Sequence, residues 1–254
     1  MLTAAKKRLL LTSLKDYHKK YLKRINSELD ESATRIMINS LLTDVLGFIP
    51  IEEVKTEYMI RGTYADYVVQ VKNTRHFLVE VKALGFDLSE RHLRQAIGYG
   101  ASEGIEWALL TNGRQIDFYR IIFEKPIQER KVFSIDLSDI KNLKTACEMI
   151  QYMHKLSVQN NGLDLLWAKC VALDPKTVAG LLKNKPIVSF LKRTLKKRYK
   201  HKFTDEEISN SIDRIIYESI ELDAVKSVTV RKRKKNTNDT AVEVQENTQN
   251  SISG

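Results

Sequence analysis

The stretch from Asp66 to Lys82 constrains this chain more than any other. It reads Ala65-Asp66-Tyr67-Val68-Val69, then a turn, then Phe77-Leu78-Val79-Glu80-Val81-Lys82. Both halves alternate and are rich in β-branched and aromatic residues, the signature of strands, with Lys72-Asn73-Thr74-Arg75 as the hairpin between them. In a strand, side chains two apart share a face. Val79 and Val81 therefore point one way, and Glu80 and Lys82 the other. Two charges inside an apolar strand are costly unless they are paired or bind a metal. Asp66 lies on the neighbouring strand and reaches the same face. Two carboxylates beside an ammonium make a hard-cation site next to a cationic group. The plainer alternatives are a Glu80–Lys82 ion pair on a solvated sheet face and an Asp66 that makes only a local turn bond.

The elements around this pair follow a simple order. Residues 4–26 have the pattern of a basic amphipathic helix. A second helix starts at Asp30 or Ser32 and carries Ile36, Ile38, Leu41, Leu42, Val45 and Leu46 up to Gly47. Strands are expected near 52–60, 64–72 and 76–83. Asp87-Leu88-Ser89-Glu90 has capping-box character and opens a helix to about Ser102. Trp107–Thr111 is a short apolar run, hence a buried strand, and Asn112-Gly113 reads as a hairpin turn. Gln115–Phe123 pairs back, and Val132–Ile135 is one more edge strand. From about 139 the pattern turns helical, with helices near 139–157, 162–172, 175–183, 186–200 and 205–220. The last is supported by a capping box at Thr204-Asp205-Glu206-Glu207. After about 225 the sequence is polar and poor in large apolar groups, the composition of a disordered tail. The order α-β-β-β-α-β-β fits an α/β sandwich with a central mixed sheet.

The spacing Asp66-(x13)-Glu80-x-Lys82 resembles the PD-(D/E)XK nuclease superfamily. Gln95-Ala96-Ile97-Gly98-Tyr99 resembles the Gln-x-x-x-Tyr element of several of its branches. The run from Glu31 to Arg120 is similar to the N-terminal nuclease domain of type I restriction-enzyme restriction subunits. That likeness implies an α/β, restriction-endonuclease-like three-layer core (α-β-β-β-α-β), followed by a C-terminal helical region. It divides the chain into a basic N-terminal helix (1–26), a nuclease-like core (27–138), a helical region (139–225) and a tail (226–254). The superfamily's usual proline before the first acid is Ala65 here.

The resemblance also implies roles. Asp66 and Glu80 are metal ligands, with the Val81 carbonyl as a third and Glu31 completing the environment directly or through water. Glu31 has a second reading, as an acid favoured by the helix dipole in a first turn. Lys82 holds or polarises the attacking water and stabilises charge developing on phosphorus. Gln95 orients the site or touches the nucleic-acid backbone, and Tyr99 packs or hydrogen-bonds beside it; the plainer alternative is a capped helix with a core tyrosine. Arg91, Arg94 and His92 lie near the same helix start, within reach of phosphates. The implied activity is Mg²⁺- or Mn²⁺-dependent hydrolysis of nucleic acid, with DNA favoured over RNA, in a restriction or defence setting. The alternatives are a nucleic-acid-binding module and a subunit that acts only with protein partners of a restriction-like system.

Charge bears on the partner. The net charge is +10 over 254 residues, unevenly spread. Residues 27–191 carry 20 basic and 21 acidic side chains, whereas residues 1–26 carry 8 and 1, and 192–202 carry 7 and none. Basic segments around a neutral body suggest a polyanion. On the helix at 186–200, Lys192, Arg193, Lys196, Lys197 and Arg198 make a phosphate-tracking surface or simply a solvated face, and Arg231–Lys235 adds five more cations. No apolar run approaches the roughly 20 residues of a membrane span. Two isolated cysteines, no signal-type segment and no membrane segment are what a cytoplasmic, reduced protein shows. There is no phosphate loop of the Gly-x-x-x-x-Gly-Lys-[Ser/Thr] type, so an ATP-driven motor is not expected here. Oligomerisation stays open.

Overall fold

The computed structural model describes residues 1–23, 29–60 and 63–217; the side chains of 59, 60, 63, 90 and 95 lie outside that description. The segment 24–26 of the first expected helix, residues 218–220 of the last, the Arg231–Lys235 cluster and the polar tail are likewise outside it. Two compact units divide the chain at Leu181/Leu182.

The first unit is built on a six-stranded mixed sheet with strands in sequence order. β1 (Val54–Ile60), β2 (Thr63–Val71) and β3 (Thr74–Val81) form an antiparallel meander. The chain crosses through helix α3 (Glu90–Glu103) to β4 (Trp107–Thr111), which pairs parallel with β3. β5 (Gln115–Ile122) and β6 (Gln128–Asp136) complete the sheet antiparallel. This is an α/β fold of the restriction-endonuclease-like kind, as the sequence order implies. The β2–β3 connection is tighter than expected. Val71 pairs directly with Thr74, and Lys72 and Asn73 both have positive φ, the two-residue turn whose twist matches the strands. β6 is longer than the expected Val132–Ile135 edge.

The alternation of the strands sends apolar groups to both faces. Phe77, Val79 and Val81 meet Trp107, Leu109 and Phe118 in one core. That core also takes Leu10, Leu14 and Tyr17 of α1 (Ala4–Tyr17) and Met37 and Ile38 of α2 (Glu31–Ser40). α2 starts where Asp30 Oδ1 accepts the Ala33 N–H at 2.7 Å. It continues through a π-helical turn, Leu41–Val45. On the opposite face Leu78, Ala108, Leu110 and Tyr119 pack against Leu93, Ala96 and Tyr99 of α3.

The helix expected at 139–157 is interrupted. A 3-10 turn (Ile140–Asn142) leads into α4 (Leu143–Ile150), and α5 (Lys155–Val158) starts afresh where the His154 imidazole accepts the Leu156 N–H. α6 (Gly162–Ala172) and α7 (Pro175–Leu182) follow. Leu143, Ile150, Leu163 and Leu166 join the first core, so α4 and α6 pack with the sheet and α1.

The second unit holds α8 (Lys185–Tyr199) and α9 (Asp205–Tyr217), joined around Val188, Ile208 and Ile212. The expected Thr204–Glu207 capping box is present: Glu207 Oε2 accepts the Thr204 N–H at 2.6 Å and Thr204 Oγ1 accepts the Glu207 N–H at 3.1 Å. Among the described residues, no helix is long and apolar enough to cross a membrane.

Candidate active site

The charged end of the β2–β3 pair is where the two strands stop pairing. Their ladder ends at Tyr67–Val79. Beyond it the Asp66 carboxylate accepts the Val81 N–H at 2.7 Å. The opening exposes a cleft of about 400 Å³ lined by Glu31, Arg35, Glu57, Asp66, Glu80 and Lys82, with Tyr64 and Ala65 completing the wall. A larger hollow along β1, about 740 Å³, shares only Glu57 with this cleft and holds neither Asp66 nor Glu80. The smaller cleft is the one with convergent chemistry.

Within it, Glu80 is almost wholly buried, its side chain 5% exposed, and Lys82 Nζ lies 2.6 Å from Glu80 Oε1. Burial pushes the Glu80 carboxyl above the usual glutamate range, and the hydrogen bond from Lys82 only partly counters it. Burial pulls the Lys82 ammonium down, but its bond to Glu80 and the charges of Glu80, Glu31 and Asp66 outweigh it, so the net shift is upward. Asp66 is 11% exposed.

A residue given no role by sequence reasoning stands at the centre. Arg35, one helical turn after Glu31, pairs with Glu31 at 3.1 Å and forms a very short ion pair with Asp66. Glu57, on a left-handed backbone in mid-β1, lies 4.0 Å from it. The Tyr67 hydroxyl donates to the Arg35 carbonyl at 3.1 Å and so ties α2 to β2. Burial drives that hydroxyl's pKa up to about 12. The i,i+4 spacing of Glu31 and Arg35 signals the pair between these two, but not the one with Asp66.

The loop after Lys82 is also held by two side chains to which the sequence assigned no such role. Thr34 Oγ1 accepts the Leu84 N–H at 3.1 Å. The fully buried Asn112 amide donates to the carbonyls of Leu84 and Phe86, at 3.4 and 2.8 Å. Its oxygen accepts the N–H groups of Arg114 and Gln115. Asn112-Gly113 lies in the β4–β5 hairpin turn, as expected, within a four-residue loop. The first β4–β5 pair is Thr111–Ile116, and Asn112 serves as a clamp.

Among the described residues no three His, Cys, Asp or Glu side chains gather closely enough to cage a metal. The chemistry of the donor set nevertheless fits a divalent cation. The cleft walls carry four carboxylates against two cations, an excess of two negative charges on hard oxygen donors. Here the chain's own Arg35 and Lys82 occupy those oxygens.

The other expected residues are distributed as follows. Gln95 lies on α3, its side chain outside the description. Tyr99 is buried, 5% exposed, and its hydroxyl donates to the Tyr64 carbonyl at 2.8 Å. It packs α3 onto β2 and offers no ring face to nucleic acid, because Ala65, Val68, Leu78 and Ile105 surround it. Arg91 and Arg94 are exposed on α3. His92 takes the capping position, its Nδ1 accepting the Ser89 N–H at 3.3 Å. Lys192, Arg193, Lys196 and Lys197 are on α8, in the second unit, and Lys192 is paired with Asp205 at 2.6 Å.

Residues 30–135 match the family model described as Type I restriction enzyme R protein N terminus (HSDR_N). The matched span runs from the cap of α2 to the penultimate residue of β6 and contains the whole cleft. The likeness read from the sequence thus holds over this segment and points to a restriction-type nuclease role. No curated protein and no solved structure matches the chain.

Proposed function

We propose that the chain is a divalent-metal-dependent nuclease that hydrolyses phosphodiesters of nucleic acid, DNA before RNA. The observation that carries this reading is the buried Glu80–Lys82 pair opening into the same cleft as Asp66, at the splayed end of β2 and β3. Asp66, Glu80 and the Val81 carbonyl would hold Mg²⁺ or Mn²⁺, with Glu31 at the rim. A bound cation supplies Lewis acidity at the phosphate and lowers the pKa of its water. Lys82 keeps its charge in this setting and aims an ammonium at the attacking water or a non-bridging oxygen, where negative charge grows as the bond to the leaving oxygen breaks. Arg35 holds Asp66 and the start of α2 in position, and is a second cation for phosphate when Asp66 takes a metal. Gln95, Arg91 and Arg94 on α3 are the proposed backbone contacts nearest the site. Lys196, Lys197 and Arg193 are proposed for the second unit.

One observation favours a second reading. Both carboxylates are engaged by the chain's own cations, and no acidic cage stands ready. A nucleic-acid-binding module, or a subunit that cuts only within a partner assembly, would look the same.

A cleavage assay separates these. Circular double-stranded DNA, circular single-stranded DNA and RNA are incubated with Mg²⁺, Mn²⁺ or chelator, comparing wild type with Lys82→Ala. Metal-dependent cutting that falls by about 10²-fold or more in Lys82→Ala is expected, the scale of losing one preorganised charge donor. A folded wild type that cuts none of these substrates in either metal moves the weight to the second reading.

A further inference from the structure

The basic sequence of α8 does not end with the helix, and its continuation builds a surface that periodicity alone does not reveal. Arg193, Lys196 and Lys197 lie on one face of the last turns of α8. Lys200 then adopts a left-handed backbone, φ 57°, and its N–H returns to the Lys196 carbonyl at 3.0 Å. This turns the chain back, so that Lys200, His201 and Lys202 join the helix residues around one hollow of about 470 Å³. Five cations and an imidazole line it, with no carboxylate in the wall. The neighbouring hollow is different. It shares Lys196 and Lys202 with the first, but there Lys192 is bound to Asp205, and the Asp205 carboxylate lines the space with Phe203 and Thr204. Lys192 is therefore already paired with a carboxylate, whereas the hollow bounded by Arg193, Lys197 and Lys200 has none in its wall.

Five cations around one concavity repel one another, and the negative end of the α8 dipole offsets only part of that. A polyanion relieves it. Arg193 to Tyr199 spans seven residues, about 10 Å of helix. A DNA strand presents a charge about every 3.4 Å along the duplex axis, so roughly three phosphates of one strand cover that length. We infer that this hollow is a seat for a nucleic-acid backbone, separate from the cleft and independent of metal, contributing affinity without sequence readout. The inference rests on the nucleic-acid reading above but not on its hydrolytic chemistry.

The test is salt-dependent binding of the full chain, in chelator, to a labelled single-stranded oligodeoxynucleotide and to its duplex. The variants are Lys197→Glu with Lys202→Glu, the milder Arg193→Gln with Lys197→Gln, and, as a charge-matched control in the first unit, Lys141→Gln with Lys144→Gln, both exposed. Each seat cation contributes about 0.7–0.9 to the slope of log affinity against log salt. Each seat variant should therefore lower that slope by about 1.5 or more, and the charge-reversed one should bind at least about tenfold more weakly near 0.1 M salt. Lys141→Gln with Lys144→Gln should bind like wild type. Unchanged slope and affinity in seat variants that keep the wild-type circular dichroism spectrum would overturn the inference. So would a polyglutamate peptide competing as well as an oligonucleotide of equal charge, which would assign the hollow to acidic proteins. Wild type that binds by this seat yet never cuts would sink the hydrolytic reading and leave the seat standing.

Discussion

At the scale of single residues, Arg35 decides how the cleft behaves without metal. Its guanidinium satisfies Asp66 and Glu31 together, and its Nε is buried without a hydrogen-bond partner. A cation on Asp66 would compete with it for the same oxygens. Arg35→Gln should therefore destabilise the protein in chelator while enlarging the stabilisation gained on adding Mn²⁺. Breaking a buried pair costs several kcal/mol, but Arg35 is about one-third exposed, so about 1–2 kcal/mol is expected, a few degrees in Tm. Thermal melts of both proteins with and without Mn²⁺ measure this. An equal metal-induced shift in the two would show that Arg35 and the cation do not share a ligand. Asp66, Glu80 and Lys82 were legible in the sequence because a period of two fixes which strand residues share a face. Arg35 was not, because it comes from a helix, and no local pattern states which strand carboxylate a helix cation will meet.

At the scale of elements, the sheet was legible in kind and order, and less so where side chains replace backbone pairing. Asn112 is the clearest instance. Its position before Gly113 signals a turn, yet all its amide capacity goes to a loop 26 to 28 residues earlier and to its own turn. The β5–β6 pair hides another such network. Asp117, 1% exposed, accepts from Ser134 Oγ at 2.6 Å, Gln115 Nε2 at 2.9 Å and Lys131 Nζ at 2.9 Å. Burial alone would raise its pKa, but these three donors together outweigh it and hold the carboxyl below the ordinary aspartate range. The folded pKa is depressed, so the linked stability is present above the unfolded value of about 3.9 and is lost as pH falls through the folded one. Asp117→Asn should thus be less stable than wild type near neutrality, and the gap should narrow below about pH 4. Urea unfolding across pH 2–7 reads the difference directly, and a gap that stays constant through that range would show that the charge on Asp117 contributes nothing.

At the scale of the whole molecule, the two units differ in how much apolar surface they bury. The first unites more than thirty buried apolar residues from α1 through α6 in one cluster, with two smaller clusters under α3. The second, among its described residues, buries only Val188, Ile208 and Ile212, with Leu182, Leu191, Leu195, Phe203 and Ile216 half-buried around them. Local stability follows buried contacts. The amides of α8 and α9 should therefore exchange with deuterium by brief local opening, orders of magnitude faster than those of β2–β4. Such an element is well suited to respond to a ligand. Anything that binds only its folded form stabilises it in proportion to the logarithm of ligand concentration over Kd. A nucleic acid seated on Arg193, Lys197 and Lys202 should slow exchange across α8 and α9 in chelator while leaving β2–β4 unchanged. Hydrogen exchange read by mass spectrometry on the full chain, with and without oligonucleotide, checks both parts. Exchange in α8 as slow as in the central strands would refute the stability argument. Protection appearing around β2 and β3 instead of α8 would place the nucleic acid in the cleft, even with metal removed.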